Sequence, residues 1–361
     1  MNRNRGPQQI SWQRVSLIAL CALLALVLSV LIFGTAYVHH LLSLITGDNG
    51  DNSIFATLSS EQLATATEDP DDHDPSFTGP SVSPSDVVIN TIPSIPVEDL
   101  QIEGVVNIML VGEDRRPGQG RQRSDSMMLC SFNTNKNSIT MTSFLRDTYI
   151  PKIPGYWADK MNAAYAYGGV NTLDQTLAAY FGVHVDANIV VHFYGFVTII
   201  DMLGGVDIEL TQKEADHLNN PKYADTYGTD IQKVHAGMNH LDGKTALAYS
   251  RIRKLDMDAM RAKRQRKVLT SLINAYKSKP LGEMLALTSE ILQTGCIQTD
   301  MTPNEVLSYV AKLFPMLSTA TLNSQQMPAE GTYQSMTVGS VTSAKVCDFE
   351  ANRKILQNFL Q

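Results

Sequence analysis

The sequence predicts an α/β fold, with helices packed on a central β-sheet, behind a single transmembrane helix. Three features predict it. From residue 101 onward, short apolar runs of strand length alternate with segments of helical period. At 361 residues and 43% apolar content, the chain can bury a sizeable core. Val15 to Val38, by contrast, contains no Asp, Glu, Lys, Arg, Asn or Gln. At ~1.5 Å rise per residue that run reaches about 36 Å, enough to cross a hydrocarbon layer of about 30 Å with some tilt.

The arm before it, residues 1–14, carries Arg3, Arg5 and Arg14 and no acid. This keeps the N-terminus in the cytoplasm and sends everything after the span, residues 15–38, outside the cell. Gly34-Thr35-Ala36 would serve as a cleavage site, but the apolar run is longer than the core of a usual signal peptide. The expectation is therefore an uncleaved, single-pass anchor in the cell membrane. Residues 39–100 follow as a linker. Between Gly47 and Leu100 lie eleven acids and no Lys or Arg. With its Pro, Ser, Thr and Gly this stretch is too polar to offset the entropy of ordering, so it reads as a flexible, self-repelling tether. The formal net charge of −7 belongs to it, and the rest of the outer part is near neutral. Residues 101–361 then form one extracellular domain, with its motifs between 107 and 277 and a C-terminal helical part over 282–361.

Within that domain VVNIMLVG is the first strand, and MMLCSFN and SITMTSFL are two more, joined through the turn NTNKN. Leu173, Leu177, Tyr180 and Phe181 recur at i, i+4, i+7 and i+8 and end at Gly182, the pattern of an amphipathic helix packed on the sheet. NIVVHFY is a further strand, GFVTIIDMLGG a helix closed by glycine, VDIEL a strand, and 211–240 a long polar loop. Helices dominate thereafter, and LNSQQMPAEGTYQ reads as a surface loop.

The chemistry begins at strand ends. VGEDRR sets Asp114 and Arg116 at the carboxyl edge of a central strand, where α/β sheets hold their ligands. RSDSMM sets Arg123 and Asp125 just before the next strand, and FLRD sets Arg146 and Asp147 at the end of the third. A surface ion pair would explain any one of these, but three strand ends with the same pairing point to a shared rim. Downstream, YSRIRKLDMDAMRAKRQRK holds eight Lys or Arg against two Asp. A solvated basic face is the ordinary reading of such a helix. Arg261 and Gln265, however, align with Val268, Leu272 and Tyr276 at three- and four-residue steps, so they continue the inward stripe. Buried arginines need anionic partners, and guanidinium forks match phosphate oxygens in pairs. Carboxylates beside a pyrophosphate would repel it unless a divalent cation lies between them. Mg²⁺ is commonly held by one or two carboxylates plus substrate phosphates, and Asp114 and Asp125 are the candidates.

In this order the motifs resemble the LytR-CpsA-Psr family of Gram-positive bacterial envelopes. NIMLVGEDRR, RSDSMM, FLRD, KMNAAYAYGG, FYGFVTIIDMLGGVDI, HLDGKTALAYSRIRK and RAKRQR carry the resemblance, from Asn107 to about Lys277, behind one N-terminal span. The resemblance implies a mixed sheet in an α-β-α arrangement. It also implies a Mg²⁺-dependent phosphotransferase, with pyrophosphatase as a side activity. Such an enzyme moves a teichoic acid, capsular polysaccharide or similar glycopolymer from undecaprenyl pyrophosphate onto peptidoglycan in cell-wall assembly. Residue by residue, it assigns Asp114 and Asp125 to magnesium and to activating the acceptor hydroxyl. Arg123 and Arg146 would hold the pyrophosphate from the sheet side, and Arg251, Arg253, Arg261 and Gln265 would close on it from the other. Arg116, Lys160 and Asn162 would support the same pocket. Where family members often have glycine-aspartate before the basic helix, here Met257 precedes Asp258.

The polyprenyl tail would need an apolar channel, and Ala178, Phe181, Val190, Phe193, Phe196, Ile199 and Leu203 are its candidate lining between helix and sheet. Ordinary core is the competing reading for each. Cys21 falls inside the span and Cys130 inside an apolar run, which leaves Cys296 and Cys347, outside the cytosol, expected to form a disulfide. No CxxC or His-rich spacing suggests zinc. The competing functional class is a membrane-tethered sensor or envelope regulator that binds the lipid pyrophosphate without turnover. A nucleic-acid partner is not expected, because the basic helix lies outside the cytoplasm.

Overall fold

The structure, a computed structural model, describes residues 79–87, 101–113, 120–223, 230–253, 255–256, 258–313 and 315–361. The expected arm, anchor and most of the tether lie outside these residues, as do Asp114, Arg116, Lys254 and Met257. Among the described residues no helix is long and apolar enough to cross a membrane.

In chain order, β1 (Ser81–Val82) is followed by β2 (Val105–Glu113), β3 (Ser124–Asn133) and β4 (Ser138–Phe144). The short pair β5 (Tyr149–Ile150) and β6 (Asp159–Lys160) leads into helix α1 (Met161–Phe181). Then come β7 (Ala187–His192), α2 (Phe193–Leu203), β8 (Val206–Leu210), α3 (Gln212–Leu218) and β9 (Gly237–Leu241). Next are α4 (Gly243–Arg251), α5 (Asp258–Lys277), α6 (Leu281–Gln293) and β10 (Ile297–Thr299). The chain closes with α7 (Pro303–Leu313), α8 (Met316–Thr319), β11 (Thr321–Met327), β12 (Tyr333–Val338), β13 (Val341–Cys347) and α9 (Phe349–Leu360).

The main sheet has the order β10-β7-β2-β3-β4-β11 and is mixed. β7 runs parallel to β2 and β11 parallel to β4, while the other pairings are antiparallel. Both faces are covered, which is why the central strands are near-continuous apolar runs. Alternation along β2 and β3 sends Met109, Val111, Met127 and Leu129 to one face, against α1 and α9, in a core that includes Phe144, Phe181 and Phe349. The next residues along β3, Met128 and Cys130, face the other way and meet Leu269 and Ile273 of α5. A separate core lies between the β8–β9 pair and α2, α4 and α5, around Ile208, Leu241, Tyr249 and Val268. The expected α/β class and the glycine-closed helices stand: α1 ends at Gly182 and α2 at Gly204, both left-handed.

Four expectations change. Residues 211–240 are not all loop, because Thr211 and Glu214 form a reciprocal capping box that starts α3, and β9 pairs with β8. The tail over 282–361 is not purely helical. LNSQQM is the edge strand β11, its polar look explained by pairing with β4 and by Gln325 Nε2 donating to Thr142 Oγ1 at 3.0 Å. Part of the tether is ordered too, since β1 pairs parallel with β12 and Val82 and Val87 pack beside Tyr149 and Ala344. Finally, Cys296 and Cys347 are free thiols. Cys296 precedes the sheet edge β10, so close under Gly195 that a Cβ there would lie 2.8 Å from it. Cys347 ends β13 in a different sheet, of order β1-β12-β13. Burial first, then Asp348, pushes its thiol above the ordinary range. Cys130 is buried as expected, and burial raises its pKa to about 12.

Gly243, the first residue of α4, donates its N–H to Asp201 at 2.6 Å, and any Cβ on it would strike the Val197 carbonyl of α2. Gly243→Ala is therefore expected to destabilise the fold by about 1–3 kcal/mol in urea unfolding, although alanine is the better helix former. A neutral or stabilising result would mean that α2 and α4 do not touch there.

Candidate functional site

Because β3 and β4 are antiparallel neighbours, the start of β3 and the end of β4 share one rim of the sheet. Asp125 stands on the first and Arg146 follows the second, and their side chains meet with Arg146 Nη1 donating to Asp125 Oδ1 at 2.7 Å. α5 crosses above this rim. Its Arg261 Nη1 lies 4.0 Å from the same carboxylate oxygen, and its Gln265 Nε2 lies 3.5 Å from the Asp125 backbone carbonyl. Arg261 is fixed in turn by Asp258, at 2.5 Å.

Asp147, one residue beyond Arg146, is the second centre. Lys160 Nζ is 3.1 Å from it, Arg146 Nε 3.8 Å and Arg253 Nη2 3.9 Å. Burial alone would raise the Asp147 carboxyl, but the charges of Arg146, Lys160, Arg253 and Lys345 outweigh burial and hold it well below the usual carboxylate range. Asp159, on β6, is the third. It takes Arg123 Nη2 at 2.8 Å, while Arg123 Nη1 donates to Asn162 Oδ1 at 3.1 Å. Tyr167 also donates to Asp159 and receives the indole N–H of Trp157 at 3.0 Å. Thus Asp125, Arg123, Arg146, Lys160, Asn162, Arg253, Arg261 and Gln265, drawn from four separated stretches, form one contiguous polar cluster. Arg146, Lys160, Asn162 and Arg261 are buried in it.

The other candidates make different contacts. Arg251, at the end of α4, places its guanidinium carbon 4.9 Å from the centre of the Phe193 ring, a cation–π contact. Phe181 and Val190 belong to the main core, where Phe181 meets Phe144 edge-on at 5.0 Å. Phe196 packs against the other core, around Ile200 and Tyr249. The residues expected to line a single lipid channel are thus divided between two cores, because α1 and α2 attach to different parts of the fold. Asp114 and Arg116 fall outside the described residues.

Sequence reading passed over several supporting groups. Glu113 is fully buried, accepts the Gln122 N–H at 2.5 Å and the Tyr165 hydroxyl at 3.1 Å, and lies 3.4 Å from His192 Nδ1. It ties the end of β2, just before Asp114, to the chain returning at Gln122. Its signal was an acid closing an apolar strand. Arg264 binds Glu214 at 2.8 Å, the carbonyl of Ile252 at 3.1 Å and Asp256, so it locks α5 to α3 and to the turn that carries Arg253.

The donor set for a cation is hard oxygen. Asp125 is a quarter exposed, and its Oδ2 has no partner among the described residues. No group of three or more His, Cys, Asp or Glu that could hold a metal occurs among them. A lone carboxylate suits Mg²⁺ only in its substrate-assisted mode, completed by phosphate oxygens.

A family model described as the LytR_cpsA_psr family matches residues 55–355. The polyisoprenyl-teichoic acid–peptidoglycan teichoic acid transferase TagT of Bacillus subtilis (strain 168) is 32% identical over 216 residues, 59% of this chain and 64% of that relative. The chain thus spans a little under two thirds of its length. The crystal structure of B. subtilis TagT matches with a TM-score of 0.55 at 25% identity, over 78% of this chain and 99% of that one. The structure of YwtF (TagT) with bound octaprenyl pyrophosphate lipid matches with a TM-score of 0.52 at 25% identity, over 74% and 94%.

Because its pKa is depressed below the ~3.9 of an unfolded aspartate, Asp147 contributes stability in full above about pH 4 and loses it as pH falls toward the folded value. Asp147→Asn is expected to cost about 3–5 kcal/mol at neutral pH, by leaving its cations uncompensated. It should also flatten the acid side of the stability–pH profile, measured by urea unfolding. An acid limb identical to wild type would remove Asp147 from the centre of the cluster.

Proposed function

The chain belongs to the LytR-CpsA-Psr family, and from that premise we propose that it is a transferase. It moves a glycopolymer from a polyprenyl-pyrophosphate carrier onto peptidoglycan, outside a membrane in which residues 15–38 anchor it. The observation that carries the proposal is the convergence of Arg146, Arg253 and Arg261 on Asp125 and Asp147 at one sheet rim. Such a cluster suits a doubly phosphorylated head group, because guanidinium forks can exchange carboxylate oxygens for phosphate oxygens of the same geometry. The relatives' named activity supports the same reading.

α5 also supports a lodging for the lipid. Arg261, Gln265, Leu269 and Ile273 follow one another at four-residue steps, so one edge of the helix passes from charged through polar to apolar. The apolar part lies over Met128, Cys130 and Met141 of the sheet. A head group at the arginines would leave its tail along this strip rather than beside Phe181.

In the proposed step, the acceptor hydroxyl oxygen bonds to the sugar-side phosphorus. The bridging P–O bond breaks, and its electron pair leaves with the polyprenyl phosphate. Asp125, or Asp114, orients the hydroxyl and takes its proton. Arg146 and Arg261 neutralise charge growing on the phosphate oxygens; Arg253 braces Arg146 through Asp147, and Arg123 does so through Asn162, whose N–H donates to the Arg146 carbonyl. Mg²⁺, if bound by Asp125 and Asp114 with the phosphates, supplies further charge stabilisation.

Arg146→Ala and Arg261→Ala are each expected to slow release of polyprenyl phosphate from a pyrophosphate-linked donor by about 10²–10³-fold. Asp125→Asn should slow it by about 10²–10⁴-fold while donor binding persists. Chelation should abolish turnover and added Mg²⁺ restore it. Tight donor binding by the wild-type chain with no product under any of these conditions would establish a sensor instead.

A further inference from the structure

Arg266 follows Gln265 and is therefore turned about 100° away from it around α5. It is only 9% exposed, and its Nε and Nη1 are buried without a hydrogen-bond partner. Among the described residues no carboxylate is paired with it, and burial alone depresses its guanidinium. The other buried arginines of α5 each sit on an acid, Arg261 on Asp258 and Arg264 on Glu214 and Asp256. A desolvated guanidinium left uncompensated is costly, and this one lines a groove of about 920 Å³ along the outer side of α5.

The groove is built of two chemistries. Lys263 and Lys267 flank Arg266 at one end, with Lys267 Nζ donating to the Glu209 carbonyl. Thr270, Asn274 and Ser324 supply hydroxyls and an amide along the rest. The acid on its wall, Asp207, is bonded to His240 Nδ1 at 2.7 Å. From Lys263 to Ala275 the helix rises roughly 18 Å, several times the width of one phosphate. Concavity and the depth of Arg266 suit a thin chain better than a flat bilayer.

We propose that this groove is a second anion site, distinct from the Asp125 cluster. It holds a hydroxyl-rich, phosphodiester-linked stretch of polymer, with Arg266 gripping one phosphodiester and Lys263 and Lys267 its neighbours. That the polymer is the transferred cargo rests on the transferase reading; the site itself does not.

The test is titration calorimetry on the full chain in detergent micelles, with poly(glycerol phosphate), inorganic phosphate and uncharged dextran as probes. Wild type should bind poly(glycerol phosphate) at least tenfold more tightly than either of the others. Arg266→Gln and Lys263→Glu should each weaken it about tenfold, the scale of one lost charge-assisted contact. Lys263 is exposed, so its reversal separates lost binding from lost folding. Unchanged polymer affinity in both variants, equal binding of dextran, or displacement of the polymer by anionic phospholipid vesicles at equal charge overturns the proposal. If wild type binds the polymer but releases no polyprenyl phosphate, the transferase reading fails and the groove stands. If it releases polyprenyl phosphate while both variants bind polymer normally, the groove fails and the transferase reading stands.

Discussion

Cations crowded at a half-buried sheet rim repel one another by about 4 kcal/mol per pair at 4 Å, even at an effective dielectric constant of ~20. The site exists because carboxylates stand among them. Asp147 holds Arg146, Lys160 and Arg253 together; Asp125 is shared by Arg146 and Arg261; Asp159 retains Arg123. Each acid is placed by a different element, so the cluster forms only when sheet, β6 and α5 have assembled. The same compensation leaves a cluster of phosphate-matching donors with one carboxylate oxygen, Asp125 Oδ2, unclaimed among the described residues.

α5 distributes this chemistry along one broad face, with different partners at different points of its length. Arg261 and Gln265 face the rim, Val268 and Leu272 the core below the β8–β9 pair, and Leu269 and Ile273 the main sheet. Arg264 fixes the helix to α3 through Glu214, a residue that also caps α3. A helix with so many separate partners has little freedom to rotate, which keeps the arginines aimed. Its basic composition therefore reflects several unrelated tasks and not a single solvated face.

The rim was legible before folding because strand ends are visible as the points where apolar runs stop, and Asp125, Arg146 and Asp147 stand at such points. The inward turn of Arg261 was legible because helical period carries it into line with Val268. The division between the two cores was not, because Phe181 and Phe196 look alike in sequence, and only packing assigns one to the main core and the other to the second. β11 was hidden by its polar residues, whose needs are met by the neighbouring strand. The disulfide failed for the same reason: two leftover cysteines say nothing of the sheets they will join.

By itself, the sequence determined the α/β class, the apolar strands and helices of the core, and the kinds of side chain at the site, since apolar period and the residue types beside it are local properties. Tertiary structure alone decided which arginine meets which carboxylate, which core each aromatic residue joins, and that Arg266 is buried with no acid paired to it among the described residues. Those are relations between residues far apart in the chain, set by strand order and by how α5 crosses the sheet, and no local pattern encodes them.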